Sequence, residues 1–102
     1  MMNSSVRSFL KTQAHELKPI VMVGKGGLDG RIIAATDAAL LSHELVKVKF
    51  QAFKEEIRPL SEQLAQQTNS ELVSIIGFIA TLYRESDEHL IHIPKELASK
   101  GE

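Results

Sequence analysis

The sequence contains no cysteine and no tryptophan, and its 102 residues include only three prolines, four phenylalanines and one tyrosine. Without cysteine, disulfide bonds and thiol chemistry are excluded, and a zinc site would lack its sulfur ligands. No apolar run approaches the roughly 20 residues of a membrane-spanning helix. The polar N-terminus does not resemble a secretory signal. We therefore expect a cytoplasmic protein with no membrane partner.

Excess charge of one sign is also absent, because the net charge is −1. This value argues against binding to nucleic acid through overall charge alone. However, residues 1–54 hold eight Lys/Arg and four Asp/Glu, giving +4, whereas residues 55–102 hold four and nine, giving −5. The division favours a basic face for an acidic partner, although short chains also show uneven charge by chance.

The length of 102 residues predicts one domain, with a loosely held tail at 95–102. Ser4 or Ser5 is expected to cap a first helix that ends before Pro19. A strand at 20–23, a helix from about Asp29 to His43 and a half-buried strand at 45–50 follow. Asp29 is the expected N-cap of this second helix.

A third helix is predicted to reach about Thr68, with Pro59 in its first turn, and residues 72–84 predict two strands. These strands meet at Gly77 and Phe78, a pair that matches a type II′ hairpin turn. The element order is thus helix, strand, helix, strand, helix, strand, strand. It predicts a two-layer α/β (α+β) fold, in which helices cover a mixed four-stranded sheet.

The most informative stretch is IVMVGKGGLDGRII at residues 20–33, where glycines surround one lysine between a strand and a helix. Neither nucleotide-binding motif fits: Asp29 occupies the third glycine position of G-x-G-x-x-G, and Lys25 lacks the following hydroxyl of the mononucleotide loop. The pattern G-x-x-G does fit, and some RNA-binding modules lay such a loop against the nucleic-acid backbone. An exposed tight turn without a ligand remains the alternative. The loop residues are Gly24, Lys25, Gly26 and Gly27.

Further basic residues could extend a phosphate-binding surface from this loop. Lys47 and Lys49 share the polar face of their strand, and Arg31 lies in the first turn of the second helix. On the first helix Arg7, Lys11 and Lys18 fall within about 40° of one another. Arg84 closes the last strand. Ordinary solvation explains each of these charges equally well when it is considered alone.

Positive signs of catalysis or metal binding are missing from the sequence. His89 and His92 would point to opposite faces of a strand, and no cysteine is present to complete a metal site. No specific nucleophile–base or paired-carboxylate arrangement stands out. We therefore expect no catalytic residues, no metal, no cofactor and no small-molecule substrate.

Four segments together resemble one known family, the CRM domain: LKPIVMVGKGGL at 17–28, HELVKVKF at 43–50, ELVSIIG at 71–77 and LYR at 82–84. The resemblance covers about residues 5–94 and implies that these form the core of the domain, and in length the chain is similar to the stand-alone bacterial YhbY proteins. The resemblance implies an RNA-binding domain, folded like the C-terminal domain of translation initiation factor 3 with an added N-terminal helix. It also implies that residues 24–27 lie at the RNA-binding surface, with Lys47 and Lys49 supporting them.

Stand-alone bacterial members of this family are associated with precursors of the large ribosomal subunit, so the resemblance implies binding to ribosomal RNA and a role in ribosome assembly. The chain departs from the family pattern at Asp29 and Gly30, in QAFKEEIRP and at Pro59. Two other functions remain open. One is a protein-interaction adaptor that uses the acidic second half, and the other is a small phosphate-binding enzyme.

Overall fold

The computed structural model describes residues 2–98, in which helices pack on both faces of a four-stranded mixed sheet. The predicted mixed α/β fold and its order of elements are confirmed. A short 3₁₀ turn and a fourth helix were not predicted. The elements are α1 (Ser4–Ala14), β1 (Val21–Val23), α2 (Gly30–His43), β2 (Leu45–Phe50), the 3₁₀ turn (Lys54–Glu56), α3 (Ile57–Gln67), β3 (Glu71–Ile76), β4 (Ile79–Tyr83) and α4 (Lys95–Ala98).

The strands lie side by side in the order β1-β2-β4-β3. β1 pairs with β2 in parallel, as a strand–helix–strand unit requires, and β4 is antiparallel to both β2 and β3. The hairpin between β3 and β4 turns at Gly77 and Phe78, as predicted. Gly77 has φ +60°, a conformation that glycine adopts without strain and that the first position of a type II′ turn requires.

Alternation along β2 separates the two faces of the sheet. Val46, Val48 and Phe50 are at most 1% exposed and belong to the main core beneath α2 and α3, whereas Lys47 and Lys49 point to the other face. This alternation was predicted. Leu45 is also buried, although it shares the face of the lysines, because α1 packs over that end of the sheet.

The N-cap of the first helix differs from the predicted one. Asn3, rather than Ser4 or Ser5, is the N-cap, and its Oδ1 accepts a hydrogen bond from the Val6 N–H at 2.8 Å. The serine prediction was wrong because both serines already have helical backbone geometry, and a cap must precede the first helical residue.

No helix within residues 2–98 combines the length and the hydropathy needed to cross a membrane.

The segment after β4 is attached to the rest of the protein through Glu44, the residue that ends α2. The Glu44 side chain is fully buried, and its carboxylate accepts hydrogen bonds from the backbone N–H groups of Ser86, Leu90 and Ile91 and from the Ser86 hydroxyl. Buried polar groups need such partners because an unsatisfied one costs free energy. Four donors thus hold residues 86–91 against the sheet.

The start and the end of the described chain are neighbours. Asn3 donates a side-chain hydrogen bond to the Leu97 carbonyl at 2.9 Å, and Leu97 packs against the cluster of apolar residues under α1. Part of the predicted tail, residues 95–98, therefore forms a short helix that contacts the domain. The remainder of that predicted tail, residues 99–102, lies outside the described residues.

Burial and hydrogen bonding act in opposite directions on Glu44. Burial of the carboxylate raises its pKa and is the largest single effect, but the hydrogen bonds from Ser86, Leu90 and Ile91 together lower the pKa below its ordinary value. The ionised form is therefore favoured in the folded protein relative to the unfolded chain. Its contribution to stability is present above the ordinary pKa and is lost as the pH falls through the lowered one.

We expect Glu44→Gln to lower the free energy of unfolding at pH 7 by about 2–3 kcal/mol, because an amide group would face N–H donors that now meet an oxygen. Urea denaturation at pH 7 and pH 3 measures this loss. The difference between wild type and variant should shrink at pH 3. Glu16→Gln, on an exposed side chain, is the control. An equal loss at both pH values would contradict the role of the charge.

Candidate functional site

Three loops meet at one edge of the sheet, which we call the loop end and define as residues 24–28, 51–54 and 77–78. Parallel strands β1 and β2 both finish there, and β4 begins there. Hydrogen bonds attach two of the loops to the end of a neighbouring strand: the Gln51 N–H donates to the Val23 carbonyl of β1 at 2.9 Å, and the Phe50 N–H of β2 donates to the Phe78 carbonyl at 2.8 Å. The three loops therefore leave the sheet next to one another.

The glycine turn after β1 holds a lysine away from the protein. A hydrogen bond from the Gly27 N–H to the Gly24 carbonyl, 3.0 Å long, closes the turn and leaves Lys25 and Gly26 exposed at its corner. Throughout residues 2–98, no carboxylate forms an ion pair with the Lys25 ammonium. This cation is thus available to an anionic ligand.

The glycines of the turn differ in what constrains them. Gly27 has φ +68°, a backbone conformation that favours glycine, whereas a Cβ there would make only an ordinary contact with the Phe53 ring at 3.5 Å. Gly24 lacks the backbone constraint, because its φ is not positive, and a Cβ there would meet no atom within 4 Å. Its missing side chain instead leaves open space beside the main chain, where a ligand could approach closely.

The N-terminus of α2 is less open to an anion than the turn itself. The Asp29 carboxylate accepts the Ile32 N–H at 3.0 Å, which confirms Asp29 as the N-cap, and it lies 3.6 Å from the Arg31 guanidinium. The cap therefore already supplies negative charge where the helix dipole is positive. Arg31 keeps 93% of its side chain exposed, so it remains able to contact a ligand.

The two predicted strand lysines lie on the sheet face opposite α2 and α3. Lys49 is exposed and stands in register with Met22 on β1 and Ile79 on β4, and Lys47 is half-buried beside Thr81. Met22, the strand partner of Lys49, precedes Lys25 by three residues, which span at most about 10 Å. Lys49 therefore lies at the end of the sheet that carries the glycine turn.

Arg7 and Arg84 differ from the lysines because their guanidinium groups contact the protein itself. Arg7 Nη1 donates to the carbonyls of Leu72 and Val73 at 2.6 and 3.0 Å, which ties α1 to β3 beside its bulge. Arg84 connects the end of β4 to both α2 and α3. It donates to the Asp37 carboxylate at 2.7 Å and carbonyl at 3.1 Å, and to the Thr68 carbonyl at 2.7 Å. Ligand contacts by these two arginines stay predictions.

Lys11 and Lys18 are exposed, the first in the last turn of α1 and the second in the connection that leads to β1. α1 packs against Leu45 and Tyr83, at the end of the sheet remote from the glycine turn. The predicted role of Lys11 and Lys18 in ligand binding likewise stays a prediction.

Phe53 and Lys54 also belong to the site, although they were not predicted from the sequence. Phe53 is 42% exposed, has φ +55° and rests against Gly27. The Lys54 ammonium lies 4.7 Å from the centre of the Phe78 ring, and Phe78 is 49% exposed. One available signal was a phenylalanine among polar residues in QAFKEE, directly after a strand. The loop end thus combines cations with aromatic rings.

Side chains suited to metal binding do not cluster within the described structure. Within residues 2–98, no three His, Asp or Glu side chains come close enough together to hold a metal ion. Tyr83 has a pKa raised to about 12, first by burial and then by the charges of Glu85 and Glu44, so its hydroxyl is neutral at physiological pH. It lies at the end of β4 that is remote from the glycine turn.

The protein is therefore an α/β domain with a mixed four-stranded sheet and an exposed G-x-x-G turn. This turn belongs to a loop surface that is basic and partly aromatic. The family model described as the CRS1 / YhbY (CRM) domain matches residues 2–84. The chain belongs to this family, and the predicted resemblance is confirmed.

Individual relatives are similar in sequence over nearly the whole chain. The chain is 36% identical over 96 residues to the "RNA-binding protein" of Haemophilus influenzae, which covers 93% of this chain and 97% of that protein. It is 38% identical over 90 residues to the "Probable RNA-binding protein YqeI" of Bacillus subtilis, covering 87% and 94% respectively. The solution structure of the hypothetical protein SAV1595 from Staphylococcus aureus is similar with a TM-score of 0.80 and 36% identity, covering 92% of this chain and 100% of that one.

We expect Arg84→Met to lower the free energy of unfolding by about 1–3 kcal/mol, because the part-buried Thr68 carbonyl and Asp37 would lose charge-assisted hydrogen bonds. Arg31→Met, the same exchange on a guanidinium that is exposed, should change stability by less than about 0.5 kcal/mol. Urea denaturation of both variants measures the difference. Equal stability of the Arg84 variant and wild type would show that this arginine is not a structural clamp.

Proposed function

We propose that this protein is a non-enzymatic RNA-binding protein of the cytoplasm, which binds ribosomal RNA in precursors of the large ribosomal subunit and assists their assembly. The observation that carries the proposal is Lys25, a cation held at the exposed corner of a glycine turn without a carboxylate partner among residues 2–98. The names of the Haemophilus and Bacillus relatives support RNA as the ligand.

The proposed mechanism is recognition of the RNA backbone. Lys25 approaches a phosphate, the open space at Gly24 lets the ribose–phosphate chain come close to the main chain, and Lys49 and Lys47 contact phosphates further along. Each lysine that neutralises a phosphate releases a counterion, so affinity falls as salt rises. Such contacts position RNA and read little sequence.

The ribosomal target rests on the resemblance to stand-alone bacterial CRM proteins, and the size of the chain fits that group. Crosslinking the protein to RNA in cells, followed by sequencing of the attached RNA, tests the target directly. The proposal expects one dominant peak in the RNA of the large subunit. A signal spread over messenger RNAs, with none in ribosomal RNA, would overturn the ribosomal assignment while leaving RNA binding intact.

We expect Lys25→Glu to weaken binding to a fragment of large-subunit precursor RNA by about tenfold, because an attractive charge at a phosphate becomes a repulsive one. Fluorescence anisotropy titrations at several salt concentrations measure both the affinity and its salt dependence. The slope of log affinity against log salt should fall by about 1.

The matched control is Lys95→Glu, an equal charge reversal on α4, which should leave affinity within about twofold of wild type. Circular dichroism melting verifies that both variants fold. If the two reversals weaken binding equally, the effect is one of net charge and the loop is not the binding surface.

Glycine substitutions test whether the RNA backbone comes close to the main chain of the protein at Gly24. A Cβ at Gly24 or at Gly30 would meet no atom within 4 Å, so we expect Gly24→Ala and Gly30→Ala to retain or slightly raise stability, by up to about 1 kcal/mol. Gly24→Ala should nevertheless weaken RNA binding severalfold, because the methyl group occupies the space that the RNA would use. Thermal melting and anisotropy measure the two effects. Equal binding by both variants would contradict close approach at Gly24.

A protein-interaction adaptor is distinguished by ribonuclease treatment of a cell extract before sedimentation. An RNA-binding protein should leave the ribosomal fractions when exposed RNA is digested, whereas an adaptor held by protein contacts should remain with its partner. Stabilisation by a nucleotide in a thermal-shift assay would instead favour a phosphate-binding enzyme.

A further inference from the structure

Two phenylalanine residues at the loop end, Phe53 and Phe78, have exposed side chains, and the glycine turn gives no reason for their exposure. Phe78 occupies the tip of the hairpin and Phe53 follows β2, and they are 49% and 42% exposed. Lys54, the neighbour of Phe53, places its ammonium 4.7 Å from the centre of the Phe78 ring. Aromatic rings that remain in water in a fixed position mark a contact surface.

Both rings are held by the backbone around them. Phe53 has φ +55°, a left-handed conformation that is rare for a bulky residue, and its ring lies against the site of Gly27. Phe78 is the second residue of a two-residue turn, and its carbonyl accepts the Phe50 N–H at 2.8 Å. A ring that is ordered before binding loses little conformational entropy when a ligand stacks on it.

The charges around the rings indicate which part of a ligand meets them. Lys25, Lys49 and Lys54 have no carboxylate partner among residues 2–98, and they surround the loop end. Glu55 and Glu56, both exposed, directly follow Lys54. A phosphate beside these two carboxylates would be repelled, whereas an uncharged base would not. Phosphates therefore suit the lysines, and bases suit the rings.

We infer that Phe53 and Phe78 form a stacking site for unpaired nucleobases, so that the preferred ligand is RNA with a single-stranded segment beside the glycine turn. The inference rests on the proposed function and specifies which kind of RNA the protein binds. Bases within a duplex are already stacked and present no free face to a side chain, whereas unpaired bases stack readily on aromatic rings.

A second copy of this chain would fit the same surface less well than RNA. A symmetric dimer through the loop end would bring Lys25, Lys49 and Lys54 of both copies together, and like charges in an interface oppose association. RNA offers both an anionic backbone for the lysines and flat apolar faces for the rings. This combination of charge and shape favours RNA over self-association.

The test compares two fluorescein-labelled RNAs of 12 nucleotides per strand, one unstructured and single-stranded and one fully paired, by anisotropy with the full chain. Phe53→Leu/Phe78→Leu keeps apolar side chains but removes both ring faces. We expect this double variant to lose about tenfold affinity for the single strand and less than about twofold for the duplex. Lys25→Glu should weaken binding to both RNAs.

Two further variants separate stacking from loss of structure. Phe9→Leu, the same exchange on α1 at the other end of the sheet, should leave both affinities unchanged. Phe78→Trp should retain single-strand affinity, because a larger aromatic face replaces the ring. Circular dichroism melting of every variant confirms folding.

The outcomes are distinct. If the double leucine variant keeps both affinities, the rings serve a protein contact instead, and the stacking site is overturned. If it weakens single-strand and duplex binding equally, or if wild type prefers the duplex, the inference also fails although RNA binding stands. If folded wild type binds neither RNA, the proposed function fails together with it.

Discussion

The parallel pairing of β1 with β2 is the constraint on which the rest of the molecule depends. Two parallel strands need a crossover, which α2 supplies, and they must finish at the same edge of the sheet. The glycine turn and the segment that carries Phe53 therefore leave the sheet side by side. Antiparallel pairing of β4 with β2 then brings the hairpin tip to that same edge. The candidate site is a result of topology as much as of residue type.

Two arginines are structural, whereas the lysines near the loop end are exposed. The guanidinium groups of Arg7 and Arg84 each donate to two or more acceptors, because a planar fork of donors can satisfy several carbonyls at once. Lys25 and Lys49 remain exposed and unpaired among residues 2–98. The cations that hold the helices onto the sheet are thus separate from those that a polyanion could meet.

Features set by local sequence were predictable, and features set by distant contacts were not. The alternation of β2, the cap at Asp29 and the turn at Gly77 depend on neighbouring residues, so the sequence alone indicated them. The choice of Asn3 over the two adjacent serines could not be predicted, since asparagine and serine cap helices about equally well.

The burial of Glu44 could not be foreseen, because its donors at Ser86, Leu90 and Ile91 are 42 to 47 residues away along the chain. Likewise, nothing local placed the Phe53 ring on Gly27. In the site, the glycine turn was visible in the sequence, whereas its aromatic neighbours became evident only when three loops were seen to share one edge.

The bond between Asn3 and Leu97 has a consequence for how the domain can be used. Residues 2 and 97 thus lie at the end of the sheet where Met2 donates to the Glu71 carboxylate, opposite the glycine turn. A tag, a linker or another folded unit attached through either of these residues would therefore begin at the back of the protein. Such an attachment would leave the lysine-bearing corner unobstructed, and tandem copies could each keep their front surface free.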